Sequence, residues 1–279
     1  MTVPTAELPG GDAMPVVGFG TGGLAGKELE DAVEEAIEAG YTRFDTAEGY
    51  GNEADLGRAL EPYDREELFL ASKVLPKNLD YESLIDACES SLDRLGTEYL
   101  DLYLIHWPNP TISLRESLAA MATLRDRGLV DNVGVSNFDA YGLSCARHVT
   151  DVPIAVDQIE CHPWRQRPDV RDYCRKAGIV VDAAAPVART EVFEDVVVRD
   201  LAESHDRAPS QIALKWAVEN DVAVIPSSTD PTHIRENLDL FDWNLTDEDL
   251  ERLEGLDRDR SVYTLSPTDW TDDTFGIPE

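Results

Sequence analysis

Short apolar runs alternate with amphipathic runs along most of this chain. The apolar runs have the length of strands, and the runs between them repeat apolar residues at helical spacing. Near-continuous apolar strands separated by helices are typical of a parallel sheet that is covered on both faces. The predicted strands are 43–47, 68–74, 101–107, 132–138, 154–160, 179–185, 222–228 and 238–243. The predicted helices are 28–39, 53–60, 81–95, 114–127, 139–147, 168–177, 210–219, 231–237 and 247–256.

Eight strands alternating with helices in a chain of 279 residues indicate a (β/α)8 barrel. No linker, repeat or low-complexity run divides the sequence. We therefore predict an α/β fold in one domain over residues 1–279. Its architecture should be a single (β/α)8 TIM barrel with a short N-terminal β-hairpin.

A glycine-rich segment near the N-terminus offers a different interpretation. In "VVGFGTGG", Gly18, Gly20 and Gly23 have the G-x-G-x-x-G spacing of a dinucleotide-binding fingerprint. Asp45 follows at about the ~20-residue distance where that fingerprint places an acid. The third glycine should open the helix, however, and "LAG" intervenes before Lys27. A Rossmann domain is therefore the weaker of the two predictions.

The charge of the chain is strongly unbalanced. It has 56 acidic and 24 basic residues, a formal net charge of −32 and only five lysines. Such self-repulsion disfavours the compact state at low salt and is screened when ions are abundant. The composition resembles that of proteins from salt-in halophiles, and we expect a halophilic origin. It argues against nucleic acid or an anionic membrane surface as a partner, because both require basic patches.

The chain shows no sign of export or of a metal centre. No apolar run approaches the ~18 residues of a membrane span, and the N-terminus lacks the basic and apolar regions of a secretory signal. The cysteines, Cys88, Cys145, Cys161 and Cys174, show no C-x-x-C pairing. We expect a cytoplasmic protein with reduced thiols, no bound metal and no membrane partner.

Residues with acid–base chemistry stand at the ends of three predicted strands. Asp45 ends the first strand, Lys73 the second and His106 the third. Tyr50 follows Asp45 in the segment "FDTAEGYGNE", between two glycines. The catalytic groups of a barrel lie at the carboxyl ends of its strands, so these four side chains should meet at one mouth of the barrel.

Together the four residues can act as a proton donor. A tyrosine with an ordinary pKa near ~10 is a poor acid at neutral pH. We expect the ammonium group of Lys73 to lower the pKa of Tyr50, and Asp45 to keep that lysine charged and oriented. The imidazole of His106 can hydrogen-bond a carbonyl oxygen and direct it towards the phenol. We therefore predict that Tyr50 is a general acid/base.

Six segments occur in an order that is specific to one family. They are "FDTAEGYGNE", "ASKV", "LIHWPNP", "VGVSNF", "DQIECHP" and "IPSSTDPTHIREN", and the likeness runs from about Met14 to Leu256. The chain resembles the aldo-keto reductases, and in particular their prokaryotic members with short loops. The resemblance implies a barrel, and a nicotinamide cofactor extended across its mouth without a Rossmann domain. It also implies a catalytic tetrad of Asp45, Tyr50, Lys73 and His106.

The same resemblance implies which residues hold the cofactor. Ser136, Asn137 and Gln158 match the positions that bind the carboxamide. Residues 186–189 match the loop that passes over the pyrophosphate, and 227–237 match the adenosine end. The residues assigned to the cofactor are Thr21, Ser136, Asn137, Gln158, Pro186, Val187, Ala188, Arg189, Ser227, Ser228, Thr229, His233, Glu236 and Asn237. Gly22 and Trp107 are assigned to the substrate pocket.

Two departures from the family pattern predict an altered mouth. Ala184, in "AAAPV" for the usual "AYSPL", replaces the tyrosine that stacks on the nicotinamide. Gly22 stands where a pocket tryptophan is usual. A stacked ring supplies dispersion and fixes one face of its partner, so both losses predict a roomier pocket. The aromatic residues that could line it are Trp107, Phe138, Trp164 and Trp270.

A third departure concerns the phosphate of the cofactor. Family members that prefer NADPH typically carry "IPKS" and an arginine five residues after the serine, and these two cations grip the 2′-phosphate. Ser227 and His233 occupy those positions here. A serine donates one hydrogen bond, and histidine becomes a cation only as the pH falls towards the acid side of neutrality. We therefore expect NAD(H), or dual use of NAD(H) and NADP(H).

The leading prediction is an NAD(P)-dependent aldo-keto reductase or alcohol dehydrogenase. It would transfer a hydride between the cofactor and a small aldehyde, ketone or alcohol, including dicarbonyl and sugar-derived compounds. The alternative is a non-catalytic, cofactor-binding regulatory subunit, which the loss at Ala184 supports and the intact tetrad argues against. Short loops after His106 and at the C-terminus favour small substrates, and the family is often monomeric.

Overall fold

Eight parallel strands form a closed barrel in the computed structural model, which describes residues 3–263. Each strand pairs with the next one along the chain. The first and last strands close the cylinder, because the Gly18 amide donates to the Val224 carbonyl at 2.9 Å and the Val224 amide donates to the Val16 carbonyl at 2.8 Å. The barrel strands are β3 (Phe19–Gly20), β4 (Arg43–Asp45), β5 (Phe69–Val74), β6 (Leu100–Ile105), β7 (Val130–Ser136), β8 (Ile154–Glu160), β9 (Val180–Ala184) and β10 (Val222–Val224).

Helices cover the outside of the barrel. Their ends follow local capping signals: α3 begins after Asp80, whose carboxylate accepts a hydrogen bond from the Ser83 amide at 3.1 Å, and it ends at Gly96 with φ of +67°. The α-helices are α1 (Gly26–Ala39), α2 (Glu53–Leu60), α3 (Tyr81–Leu95), α4 (Leu114–Asp126), α5 (Ala140–Val149), α6 (Pro168–Ala177), α7 (Val196–His205), α8 (Pro209–Glu219), α9 (Pro231–Leu238) and α10 (Asp247–Glu254).

An antiparallel hairpin closes the amino end of the barrel. Its strands, β1 (Thr5–Glu7) and β2 (Ala13–Pro15), pair with each other. The hairpin carries the buried side chains of Leu8 and Met14, which belong to the same apolar cluster as Leu104 inside the barrel. The predicted N-terminal β-hairpin is therefore present.

The period of the strands places polar groups at the opposite end. In β5, Phe69 and Ala71 lie in the interior cluster, and Lys73 is the next residue on that face. In β6, Leu102 and Leu104 precede His106 in the same way. Apolar side chains thus fill the first half of the barrel interior, and the groups at the strand ends occupy the second half.

One predicted strand was wrong, and two elements were not predicted. Residues 238–243 form no strand: α9 ends at Leu238, and the following segment packs on α8, where Lys215 donates to the Leu240 carbonyl at 2.8 Å. The first barrel strand is instead β3, which is too short to show a period. Helix α7 was not predicted. The count of eight barrel strands is nevertheless the predicted one.

The glycine-rich segment forms the seam of the barrel. A Cβ atom at Gly20 would lie 2.8 Å from the Ile225 carbonyl oxygen, and one at Gly18 would lie 2.9 Å from the side chain of Arg43. Glycine is required at both positions because backbone or side-chain atoms approach too closely for any other residue. The alternative prediction of a Rossmann domain is wrong, since these glycines serve barrel closure.

Candidate active site

A buried ion pair at the carboxyl end of the barrel joins two of the predicted catalytic residues. The Lys73 ammonium donates to Asp45 Oδ1 at 2.5 Å and to the Thr46 carbonyl at 2.7 Å. The two side chains are 0% and 1% exposed. Burial by itself would lower the pKa of Lys73, but Asp45 and Tyr50 outweigh it and raise that pKa above its ordinary value. Lys73 is therefore a fixed positive charge below the mouth.

A short 3-10 turn over Glu48–Tyr50 brings the tyrosine above this charge. The ammonium nitrogen of Lys73 lies 5.1 Å from the centroid of the Tyr50 ring. A Cβ atom at Gly49 would lie 2.9 Å from Leu75 Cδ2, and Gly51 has φ of +67°. The two glycines beside Tyr50 therefore have distinct purposes: one allows close packing and the other allows a left-handed turn.

The acid that precedes Tyr50 anchors this turn. The Glu48 carboxylate accepts hydrogen bonds from the Leu75 amide at 2.8 Å and from the Asn78 side chain at 2.7 Å. Both partners follow β5, the strand that carries Lys73. Glu48 thereby fixes the position of the tyrosine relative to the lysine, a role that was not predicted from the sequence.

The ionisation of Tyr50 differs from the sequence-based expectation. Burial raises the pKa of its phenol, and Asp45 raises it too, while the ammonium of Lys73 lowers it. Lys73 acts in the expected direction, but its effect does not prevail. The side chain is 36% exposed, so its ring lies at the boundary between the barrel interior and the mouth. With a raised pKa the phenol is protonated at neutral pH and is available as a donor.

His106 is the fourth residue of the predicted tetrad. Its ring packs edge-on against Tyr50, with centroids 5.6 Å apart and planes at 81°. Burial and the charge of Lys73 lower the pKa of His106 to about 3, so the imidazole is neutral at pH 7. Its buried Nδ1 atom has no hydrogen-bond partner within residues 3–263. All four predicted tetrad residues therefore lie at one mouth of the barrel.

An ionic network behind Asp45 was not predicted. Gln158 donates its amide hydrogens to Asp45 Oδ2 at 2.9 Å and to Asp182 Oδ2 at 2.8 Å. Asp182 forms an ion pair with Arg43, both fully buried, and Arg43 also donates to the Pro15 carbonyl at 3.1 Å. The alternation of side chains along a strand could have indicated part of this network. Arg43 precedes Asp45 by two residues, so both side chains must lie on the same face of the sheet.

The residues assigned to a carboxamide lie at the ends of β7 and β8. Ser136 donates to the Gln158 carbonyl at 2.7 Å, and Asn137 donates to the His106 carbonyl at 2.9 Å. Carboxylates only accept, so the Gln158 NH2 must face Asp45 and Asp182, and its amide oxygen is turned away from them. The amide oxygens of Asn137 and Gln158 are thus acceptors. This donor and acceptor set fits a carboxamide NH2.

Thr21 and Gly22 lie beside the tetrad. Thr21 is fully buried, and its hydroxyl donates to the Asp45 carbonyl at 3.0 Å. Asn52, which the sequence reading did not single out, donates to the Thr21 carbonyl at 2.9 Å and holds this segment in place. A Cβ atom at Gly22 would lie 3.4 Å from Tyr50 Cζ. A side chain at position 22 would therefore contact the phenol of Tyr50.

The loop assigned to the pyrophosphate has an unusual backbone. Ala188, Arg189 and Thr190 have φ of +49°, +50° and +71°, a region that residues with a Cβ atom rarely adopt. Pro186 is buried, and Val187 is half-buried. The exposed Arg189 extends towards the C-terminal segment. Such strain persists only where surrounding structure imposes it, and it is concentrated at ligand sites.

The residues assigned to the adenosine end lie before and within α9. Asp230 caps this helix and accepts a hydrogen bond from the Thr232 amide at 2.8 Å. Asn237 is buried, and its side-chain oxygen has no hydrogen-bond partner within residues 3–263, so it can accept from an amino group. The remaining assigned residues are exposed or half-buried: Ser227, Ser228, Thr229, His233 and Glu236.

A cavity of about 900 Å³ opens beside Ile105 and Trp107, the two sequence neighbours of His106. Trp107 and Phe138 line it as predicted, together with Asn137 and Tyr263. Trp164 does not line it: its indole donates to Asp195 at 2.8 Å and lies under the side chain of Arg258. Trp270 lies outside the described residues. The volume is within the range of small-molecule sites.

The sequence also predicts that the chain has no membrane span, no metal centre and no disulfide. Within residues 3–263, no helix is long and apolar enough to cross a membrane. In the same part of the chain, no group of three or more histidine, cysteine, aspartate or glutamate residues could hold a metal ion. The four cysteines, Cys88, Cys145, Cys161 and Cys174, are unpaired with one another.

Comparison with known proteins identifies the family. The model described as "Aldo/keto reductase family" matches residues 16–258. An aldo-keto reductase of Mycolicibacterium vanbaalenii is 38% identical over 273 residues, or 95% of this chain and 98% of the relative. One of Mycobacterium avium is 38% identical over 257 residues, or 91% and 90%. The chain therefore belongs to the aldo/keto reductase family of oxidoreductases.

Solved structures agree with this assignment. An aldo-keto reductase enzyme from a Medee basin deep-sea metagenome library has a TM-score of 0.90 and 34% identity, covering 93% of this chain and 97% of that one. A Bombyx mori aldo-keto reductase in complex with NADP has a TM-score of 0.89 and 30% identity, covering 97% of both chains. The predicted (β/α)8 barrel is confirmed.

Proposed function

We propose that the protein reduces small carbonyl compounds, and oxidises the corresponding alcohols, with Tyr50 as the general acid/base. The observation that supports this proposal is the packing of Tyr50 against Lys73 and His106 at one mouth, next to a cavity of about 900 Å³. A nicotinamide cofactor, when bound, supplies or accepts the hydride. The carboxamide would be held by Ser136, Asn137 and Gln158, and the side-chain amide oxygens of Asn137 and Gln158 suit its NH2 as acceptors.

The proton is transferred at the phenolic oxygen of Tyr50. In reduction the protonated phenol gives its proton to the substrate oxygen, and the ammonium of Lys73 stabilises the phenolate that remains. Asp45 keeps that ammonium in place through the contact at 2.5 Å. In oxidation the phenolate takes the proton back from the alcohol.

His106 orients the substrate oxygen and does not supply the proton. Since its pKa is lowered to about 3, the ring carries no acidic proton at neutral pH. A neutral imidazole can still hydrogen-bond the substrate oxygen from one nitrogen. Tyr50 and His106 thus divide proton transfer and orientation between them.

The variant Tyr50→Phe tests this role, because it removes only the phenolic oxygen. We expect kcat to fall by about a hundredfold or more while the Kd for cofactor stays within about twofold. Tyr141→Phe, at the exposed rim of the cavity, is the matched control and should keep full activity. Turnover above a few per cent in Tyr50→Phe would reject Tyr50 as the acid.

The same assay separates an enzyme from a regulatory subunit. A wild-type protein that binds cofactor but turns over no aldehyde, dicarbonyl or sugar-derived ketone would favour the non-catalytic alternative. We expect turnover of small substrates because the loops around the mouth are short. The panel should be run in both directions, with alcohols as well as carbonyl compounds.

We infer that the cofactor is NAD(H), or NAD(H) and NADP(H) alike. Ser227 and His233 are exposed where cations would be needed for a 2′-phosphate. Arg235, the nearest substitute in sequence, is engaged by Glu35 at 2.6 Å. The Bombyx mori structure contains NADP, which argues for NADP in at least part of the family.

The preference between NADH and NADPH is measured as kcat/KM with each cofactor at the same salt concentration. One charge-assisted contact contributes about 1.5–3 kcal/mol, so a site without it should favour NADPH by less than about tenfold. The double variant Ser227→Lys/His233→Arg should shift the ratio towards NADPH by at least about tenfold. A hundredfold preference for NADPH in the wild type would contradict the inference.

We further propose that the protein is a cytoplasmic monomer from a halophile. A net charge of −32 with few lysines should make the folded state depend on screening ions. The melting temperature should rise between dilute buffer and molar potassium chloride, and sedimentation should give the mass of one chain. A melting temperature indifferent to salt would reject the halophile interpretation.

A further inference from the structure

The chain after helix α10 returns to the mouth, where Glu160 at the end of β8 holds it. The Ser261 hydroxyl donates to Glu160 Oε2 at 2.5 Å, and the Val262 amide donates to Glu160 Oε1 at 2.6 Å. Burial opposes ionisation of Glu160, but hydrogen bonds from His162, Ser261 and Val262 keep its pKa below the ordinary value. Glu160 is therefore a permanent acceptor that positions the next residue, Tyr263.

Tyr263 lies beside the loop assigned to the pyrophosphate. Its ring lines the cavity of about 900 Å³, and the guanidinium carbon of Arg189 lies 5.0 Å from the ring centroid. Burial raises the pKa of its phenol, so the phenol is uncharged at neutral pH. The ring is thus held between the cavity and that loop.

The residue that anchors this segment is also the backbone neighbour of Ala184. Glu160 and Ala184 are paired in register between β8 and β9. Ala184 is half-buried and offers only a methyl group at the position where an aromatic ring is expected from the family pattern. The C-terminal segment is therefore anchored by the residue that neighbours Ala184 across the two strands.

We propose that Tyr263 supplies the aromatic surface for the nicotinamide that Ala184 does not, with Glu160 and Arg189 fixing its ring. The inference rests on the proposed function, because it requires a nicotinamide cofactor. A ring of this kind contributes through contact area and dispersion, and its hydroxyl is not required. Tyr263 is accordingly a positioning residue and takes no part in proton transfer.

The test compares cofactor binding in Tyr263→Ala and Tyr263→Phe, measured by calorimetry with NADH and with NADPH. Loss of an aromatic contact of this kind should raise the Kd of Tyr263→Ala about three- to tenfold. Tyr263→Phe should stay within about twofold, because it keeps the ring. Ser261→Ala, which removes one anchoring hydrogen bond, should raise the Kd by a smaller factor.

Two further variants distinguish ring loss at the site from general destabilisation. Tyr99→Ala removes another half-buried tyrosine that is covered by an arginine, since Arg65 lies 4.0 Å from its ring. Tyr99 lies at the amino end of the barrel, so this variant should leave the Kd for cofactor unchanged. Ala184→Tyr introduced into Tyr263→Ala should restore most of the lost affinity. Melting curves monitored by circular dichroism confirm that each variant is folded.

The outcomes separate this inference from the proposed function. If folded Tyr263→Ala binds both cofactors as the wild type does, or if Tyr99→Ala raises the Kd equally, the inference is overturned. If the wild-type protein binds neither cofactor, the proposed function itself is rejected. A raised Kd in Tyr263→Ala that Ala184→Tyr reverses supports both.

Discussion

The two halves of the barrel interior are filled by opposite chemistry. In the half next to the N-terminal hairpin, Phe69 and Leu104 pack in one apolar cluster with Met14. In the half next to the mouth, the side chains are ionic, although they are equally buried. Those charged residues are Arg43, Asp45, Lys73 and Asp182, each at most 1% exposed.

This difference shows which half serves stability and which serves the site. Apolar burial stabilises the fold with little demand on orientation. Buried charges cost desolvation free energy and are tolerated only when each is paired and hydrogen-bonded. Here two cations face two carboxylates, and the Gln158 amide links the pairs. The ionic half therefore fixes Asp45 and Lys73 where an apolar filling would have been more stabilising.

The largest effect is expected from Lys73→Met, which breaks the ionic half beneath Tyr50. Without the ammonium the phenolate is no longer stabilised and Asp45 is left unpaired, so kcat should fall about 10²- to 10⁴-fold. Lys215→Met is the matched control, because Lys215 is also buried and pairs with Glu219 at 3.1 Å, but on an outer helix. It should lower the melting temperature and leave kcat nearly unchanged. If both variants lost kcat equally, the division of the barrel interior into a half for stability and a half for the site would be refuted.

Arg43→Met tests the deeper ion pair of the same half. It leaves Asp182 charged and buried with only the Gln158 amide as a partner, so the free energy of unfolding should fall by about 3–5 kcal/mol. The double variant Arg43→Met/Asp182→Asn removes the stranded charge and should recover much of that loss in urea denaturation. No recovery would show that Arg43 stabilises by packing alone.

The sequence predicted secondary-structure bounds correctly where residues adjacent in the chain determine them. The bounds of α2, α3 and α6 are those predicted, because caps and breakers such as Asp80, Gly96 and Pro168 are adjacent to the helices they end. Strand β3 escaped prediction because it has only two residues, and the backbone just before it closes the barrel by pairing with β10 from the other end of the chain. The prediction of a strand over residues 238–243 was wrong because apolar residues that alternate along a segment can also pack against a helix.

The same limit applies to the candidate site. Three members of the predicted tetrad, Asp45, Lys73 and His106, stand at strand ends, a position that sequence periodicity locates, and Tyr50 follows the first of them in sequence. The ion pair of Arg43 with Asp182 joins residues 139 positions apart, and neither residue alone indicates its partner. Nor does the sequence near Tyr263 show that Glu160 brings it to the mouth. Long-range pairing therefore accounts for most of what was missed.

Leu104→Ala tests the apolar half. Leu104 is fully buried inside the barrel, and its truncation should lower the free energy of unfolding by about 2–5 kcal/mol through lost burial and a residual cavity. Leu104 is paired in register with Lys73 between β5 and β6, but its truncation removes no charged or hydrogen-bonding group, so kcat of the folded variant should stay within about threefold. A large fall in kcat without a fall in stability would contradict the separation of the two halves.

His106 predicts how stability changes with pH at the boundary of the ionic half. Its native pKa is lowered to about 3, against ~6.5 for an unfolded histidine. As the pH falls from 7 to 5, the unfolded chain therefore binds a proton that the native state does not, and the free energy of unfolding falls. The wild type should lose about 1–2 kcal/mol more than His106→Asn over this range.

The smallest effect on stability is expected outside the barrel, where charges are exposed. Arg235 and Glu35 lie 2.6 Å apart and are 53% and 33% exposed. Exposed pairs contribute about 0–1 kcal/mol, so Glu35→Gln should change the free energy of unfolding by less than about 1 kcal/mol. In a chain with a net charge of −32, the loss of one carboxylate also relieves repulsion and offsets part of that change.

The same variant should nevertheless alter cofactor choice, because it releases Arg235 beside the adenosine end. We expect the Kd for NADPH to fall about two- to fivefold at low salt, that for NADH to stay unchanged, and the gain to vanish in molar potassium chloride. Glu30→Gln is the matched control, since Glu30 lies on the same helix and pairs with Arg58 at 3.0 Å. An equal gain in both variants would assign the effect to net charge, whereas a gain confined to Glu35→Gln would show that Glu35 restrains Arg235 from the 2′-phosphate.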